Sequence, residues 1–286
     1  MSDWELDYYS RPILDADGKK RWELLLCSTP GPGETEPPFR WSRSCPASSV
    51  NSIWLRETLD QAIAAAEQQG QPRPRRLRCW RGSMRTMVQR AAEGLAIDLI
   101  PSRRCYALAS WLQQREREVY PQEEGYLSGP LAPPPAPIRP VARPLPETAR
   151  GESWAWARLG AGELQQADQW EADFSGLIPL PPGLNSDSPV PGILLFGGDR
   201  ALAIAAWVAG LEPVRLEVSG CQLILEAGLE DRWLLSDLGD EDATRTAAEL
   251  SACRQDSAGL QFLAVQASPG EQRFTGFWML RDLPDS

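Results

Sequence analysis

The side chains best equipped for chemistry in this 286-residue chain are arginines. Residues 73–104 hold nine of them, at 73, 75, 76, 78, 81, 85, 90, 103 and 104, against Glu93 and Asp98, a net of +7. The whole chain carries -10, so everything outside that window sums to -17. Such asymmetry points to a partner rather than to a fold. Only two lysines occur, Lys19 and Lys20, so nearly all positive charge is guanidinium. A guanidinium offers a flat fork to phosphate and a face for stacking. In "RRLRCWRG" (75–82), Arg76, Arg78 and Trp80 alternate with Leu77 and Cys79. On a strand this puts two arginines and an indole on one face, a face that is either uncovered or set against acids. Arg81 and Arg85 continue the run, and Arg103 and Arg104 precede Tyr106 at the expected start of a helix. Free N–H groups at such a start attract phosphate. Arginine interleaved with aromatics suits a single-stranded nucleic acid, with bases stacked on Trp or Tyr. An acidic protein partner fits the same pattern.

Other chemistries are excluded or weak. The chain has no histidine, which removes Ser-His and Cys-His pairs, imidazole metal sites and an imidazole base. The six cysteines form no C-x-x-C and match no zinc spacing, so they read as reduced, mostly buried thiols. "FGGDR" (196–200) lacks the third glycine of a dinucleotide fingerprint and the lysine of a P-loop, and reads as a strand-to-helix turn. The acids of "WLLSDLGDED" (233–242) read as a capped, solvated helix start. No cofactor or metal is expected.

The elements that would position these residues follow from periodicity. "WELDYYSRPI" alternates, with Trp4, Leu6 and Tyr8 on one face and Glu5, Asp7 and Tyr9 on the other. A turn at "DADGKK" leads to "RWELLLCS", and a Pro- and Gly-rich loop leads to "FRWSRSCP". Residues 51–69 change to helical spacing, with Leu55, Leu59, Ala62, Ile63 and Ala66 as the stripe and Asn51 or Ser52 as cap. "RRLRCWRG", a helix over 83–95, the strand "AIDLIP" and a helix over 102–121 follow. The order β-β-β-α-β-α-β-α is that of a ribonuclease-H-like domain, expected over residues 1–129. A nuclease of this order needs carboxylates from several elements converging on metal ions. Asp7 fits the first strand, and Glu57 or Asp60 the first helix. The fourth strand carries arginines where an acid is required, so the nuclease reading ranks behind a non-enzymatic one, with Asp7 paired to an arginine.

Residues 130–146 contain eight prolines and mark a linker, taken as 130–150. The remainder, 151–286, alternates strand and helix patterns and is expected to be a C-terminal mixed α/β domain. No run of apolar residues is long enough to span a bilayer, and "MSDWELDYYS" has no targeting pattern, so a cytoplasmic location is expected.

The strings "WELDYYSRPILDADGKKRWELLLC", "VNSIWLRETL", "PSRRCYALASWL", "REREVYP" and "EEGY", then "WLLSDL", "GLQFLAVQ" and "GFWMLRDLP", resemble the Tab-two-like family of oxygenic phototrophs. The resemblance covers both domains in order, apart from the proline linker and the 29–38 loop. Cys105 stands where threonine is expected. The resemblance implies an RNA-binding protein, here cyanobacterial, that favours A/U-rich leaders and promotes translation or biogenesis of photosystem I, and by extension photosystem II, subunits. Its partners would be such an mRNA leader together with translation or photosystem assembly proteins. The resemblance assigns no RNA-binding residue. The site rests on the physical argument for Arg76, Arg78, Trp80, Arg81, Arg85, Arg103, Arg104 and Tyr106.

Overall fold

The computed structural model describes residues 3–31, 34, 37–128, 139–181 and 183–281. The chain forms two compact units, Met1–Pro137 and Ile138–Ser286, both mixed α/β.

The first unit runs β1 (Asp3–Leu14), β2 (Lys20–Ser28), β3 (Arg40–Cys45), α1 (Ser52–Gln68), β4 (Arg76–Cys79), α2 (Arg85–Glu93), β5 (Asp98–Pro101) and α3 (Tyr106–Glu118). Its sheet has the order β3-β2-β1-β4-β5. β2 is antiparallel to β1 and β3, whereas β4 runs parallel to β1 and β5. Asn51 caps α1, its side chain accepting the N–H groups of Ile53 and Trp54 at 2.9 Å. Strand alternation splits the apolar side chains into two cores. Trp4, Leu6, Tyr8, Leu24, Leu26, Leu77 and Cys79 pack under Leu55, Leu59, Ile63, Val88 and Ala91 of α1 and α2. Ile13, Leu25 and Cys27 pack under Leu108, Trp111 and Leu112 of α3.

The second unit begins earlier than its sequence suggests. Residues 139–150, read above as linker, include β6 (Arg143–Pro144), which pairs with the edge of a sheet, and the buried Leu145. A proline segment lacks the donors for a sheet interior but can join an edge. Residues 130–138 of the expected linker lie outside the described residues. β7 (Ser153–Gly160), α4 (Ala161–Leu164), β8 (Ala172–Gly176), β9 (Pro189–Phe196), α5 (Ala201–Leu211), β10 (Pro213–Ser219), β11 (Gln222–Ala227), β12 (Asp231–Asp237), α6 (Asp240–Asp256), β13 (Leu260–Gln266) and β14 (Phe274–Arg281) follow. One sheet has the order β7-β9-β13-β14-β8, the other β10-β11-β12-β6. Ile193, Leu263 and Trp278 of the first sheet pack with α5 and with Leu216, Leu223 and Leu225 of the second. The opposite face packs Phe262, Phe277 and Met279 against Leu164. Gly197 and Gly198 of "FGGDR" donate to the Gln266 and Ala267 carbonyls, consistent with a turn.

Candidate nucleic-acid interface

The basic fourth strand lies against an acidic first strand. The parallel register sets Asp3 opposite Arg76 and Glu5 opposite Arg78. Every second residue of "DWELD" is thus a carboxylate facing every second residue of "RLRCWR". Asp3 receives Arg76 Nη2 at 2.6 Å and Arg78 Nη1 at 3.0 Å. Asp7, fully buried, accepts Trp80 Nε1 at 2.9 Å, Arg81 Nε, and Arg11 Nη1 at 2.8 Å. Burial alone would push the Asp7 carboxyl up, but Arg11 and Arg81 beside it hold it below the usual carboxylate range.

A second buried acid extends the network towards α3. Glu23 of β2 receives Arg11 Nε at 3.1 Å, Arg115 Nη2 at 2.6 Å and the Tyr120 hydroxyl at 2.6 Å. Burial raises the Tyr120 hydroxyl well above the usual phenol range. Glu5, 1 % exposed, differs from both. Its carboxylate accepts the Leu108 N–H of α3 at 2.9 Å, and burial pushes it up to about 7.

These contacts set the expected site residues at different depths. The alternation of Arg76, Arg78 and Trp80 on one face is present, and of the two alternatives for that face, acids lie against it. Arg78 is 8 % exposed and pairs with Asp3, so it stands behind the surface. Arg104 and Tyr106 are buried, Arg104 stacking over the Tyr106 ring at 5.8 Å. The first turn of α3 is occupied by Glu5 at Leu108 rather than open to phosphate. Arg103 is half-buried. Arg76, Trp80 and Arg81 keep partial exposure, and Arg85 is exposed. The nuclease pairing also separates. Glu57 is exposed on α1, which covers the Trp4/Leu6/Tyr8 face, whereas Asp7 points to the opposite face under α3. No group of three His, Cys, Asp or Glu able to hold a metal occurs among the described residues. Cys27, Cys45, Cys79 and Cys105 are free and buried, and burial pushes the thiols of Cys27 and Cys105 well above their usual range.

Periodicity did not single out Tyr9 as a partner of the basic strand. It follows Asp7 by two positions, so it shares that face, and the Arg81 guanidinium lies over its ring at 4.1 Å and over Trp80 at 4.8 Å. The signal was the string "DYYSR", which sets an aromatic and an arginine at +2 and +4 from an acid on one strand face.

Comparison with known proteins decides the family. The domain described as "RNA-binding protein Tab2/Atab2 N terminal" matches residues 3–115, and its C-terminal counterpart matches residues 133–281. The chain belongs to the Tab2-like RNA-binding family. The Zea mays protein "Protein TAB2 homolog, chloroplastic" is 35 % identical over 295 residues, covering 99 % of this chain and 72 % of its own. The Arabidopsis thaliana protein of the same name is 32 % identical over 301 residues, with 99 % and 75 % covered. A chain of a simian T-cell lymphotropic virus intasome bound to the PP2A regulatory subunit B56 gamma aligns with 82 % of this Tab2-like chain and 78 % of its own, at 13 % identity and a TM-score of 0.31, too low to carry an argument. No helix among the described residues of this Tab2-like chain is long and apolar enough to cross a membrane.

Proposed function

We propose that this Tab2-like chain binds an A/U-rich single-stranded mRNA leader and, without catalysing a reaction, promotes translation or biogenesis of photosystem I subunits, and by extension those of photosystem II, in a cyanobacterial cytoplasm. The observation that carries the reading is the match of both units, in order, to the two domains of an RNA-binding family. The chloroplast relatives support the photosynthetic setting. For the first unit we propose a ribonuclease-H-like fold. Its element order, its strand order β3-β2-β1-β4-β5 and its parallel β1, β4 and β5 support it. Within the basic window, Arg76, Trp80, Arg81 and Arg85 form the RNA-facing set, while Arg78, Arg104 and Tyr106 build the wall behind it.

Single-strand preference follows from charge. The net of -10 disfavours a duplex, with its dense phosphates, more than a strand whose bases stack on aromatics. Fluorescence anisotropy with an A/U-rich leader, a G/C-rich strand and a duplex tests this. Tightest binding to the A/U-rich strand, weakening with salt, is the expected result. Equal or tighter binding to duplex overturns it. For the cellular role, ribosome occupancy of photosystem I messages is expected to fall when the gene is deleted. Unchanged occupancy with reduced complex assembly favours a protein-binding assembly factor.

A further inference from the structure

β4 ends at Cys79, beside Leu6 in the middle of β1, which runs on to Leu14, so the chain leaves β4 against the flank of β1. From β1 it returns to β2 and β3 on one side, and from β4 it passes through α2 to β5 on the other. The segment that leaves β4 therefore lies beside the middle of β1, where Trp80 reaches Asp7. Tyr9, Trp80 and Arg81 gather there, all partly exposed, above the buried Asp7 and Arg11.

The cation beside Asp7 at this place is a guanidinium. Asp7 takes the Nε and Nη2 side of Arg81, and Tyr9 and Trp80 lie against its plane. A guanidinium carries five donors in a fixed fork, so this grip leaves its other edge for an anion. Its side chain is 23 % exposed. Around it the network holds Arg11, Arg81 and Arg115 against Asp7 and Glu23, with Glu116 as a third acid close by. The Nη2 of Arg11 is buried without a hydrogen-bond partner, so the network still has a donor to satisfy. Glu116 of α3 faces the same group of charges, near Arg11, Arg81 and Asp7.

We propose that this place at the end of β4 is a nucleotide-binding subsite for single-stranded RNA. Arg81 takes a backbone phosphate, and the exposed parts of the Tyr9 and Trp80 rings stack a base. Asp7 is a positioning residue that holds the Arg81 fork, and Glu116 is a nearby anion that competes with the phosphate. The proposal rests on the RNA-binding reading above and adds where and how one nucleotide is held.

The test uses the full chain and an A/U-rich oligonucleotide of about twelve nucleotides, titrated by anisotropy at several salt concentrations. Each variant is first checked by thermal unfolding. Arg81→Ala is expected to weaken binding about tenfold and to flatten the log K against log[salt] slope by about 0.7, the loss of one single-strand phosphate contact. Arg81→Lys restores the slope but not the full affinity. Tyr9→Ala weakens binding about fivefold with the slope unchanged. Glu116→Gln tightens binding about twofold. Wild-type affinity and slope in folded Arg81→Ala and Tyr9→Ala overturn the subsite while the RNA-binding reading stands. If the wild type binds neither this oligonucleotide nor any other single strand at low salt, both fall. If Arg81→Ala does not fold, Tyr9→Ala and Glu116→Gln decide: both unchanged from wild type overturns the subsite.

Discussion

The Glu5 carboxylate on β1 accepts the backbone N–H of Leu108, in the first turn of α3, at 2.9 Å. A strand residue therefore caps a helix 103 positions away, and the α3 end contributes no side-chain cap of its own among the described residues. When ionised, Glu5 also meets the positive end of the helix dipole.

Glu5 makes stability depend on pH in an unusual direction. Its folded-state value is about 7, raised from 4.5 chiefly by burial. Between those values the folded chain keeps a proton that the unfolded chain has released, so stability falls as pH rises. The contribution is complete below the lower value and lost above the higher, up to about 3 kcal/mol in all. Glu5→Gln keeps an acceptor for Leu108 and removes the titration. Urea unfolding at about pH 5 and pH 7.5 is expected to show a smaller difference for the variant. An equal difference in both proteins rules Glu5 out as the source.

Asp7 is the keystone of the buried network. Asp7→Ala leaves Arg11, Arg81 and Trp80 without their shared acceptor and is expected to cost about 3–5 kcal/mol. Glu57→Ala, on the exposed face of α1, should stay within about 0.5 kcal/mol. Denaturant midpoints with unchanged m-values check both. Comparable losses at the two positions would contradict the placement of Asp7.

The same geometry bears on cleavage. Asp7 and Glu57 lie on opposite faces of the sheet and form no shared site. Single-stranded RNA incubated with the protein and Mg²⁺ or Mn²⁺ should be recovered intact. Cleavage that disappears in Asp7→Asn would restore the nuclease reading.

In the second unit, Gly192 of β9 stands in register with Phe262 of β13. A Cβ built on Gly192 would lie 2.4 Å from the Phe262 ring and 2.5 Å from its carbonyl oxygen. Gly192→Ala must move a central strand and should destabilise by about 1–3 kcal/mol. A calorimetric scan checks it, and an unchanged midpoint would contradict the packing.

Much of the architecture was legible in single elements. The 2-residue alternation of "WELDYYS" and the helical stripe Leu55, Leu59, Ile63 place their side chains in the cores expected for them. So does the face of α2 carrying Met87, Val88 and Ala91. β6 was hidden because a proline segment carries no alternation, and its place depends on the edge offered by β12. β8, at Ala172–Gly176, is likewise decided by its pairing with β14.

The basic window shows where sequence stops. By itself the sequence determined that nine arginines cluster in residues 73–104 and that Arg76, Arg78 and Trp80 share a face of one strand, because alternation is a local property. It also determined that no imidazole chemistry is available. Only the tertiary structure decided which arginines meet solvent. Parallel register sets the acids of β1 directly across from the basic strand, a pairing between residues more than seventy positions apart. α3 covers the same face, so Arg78 and Arg104 serve the interior while Arg81 and Arg85 remain at the surface. The cost of leaving a guanidinium buried and unpaired makes that register, and not the charge of the run, the determinant of where an anion can be held.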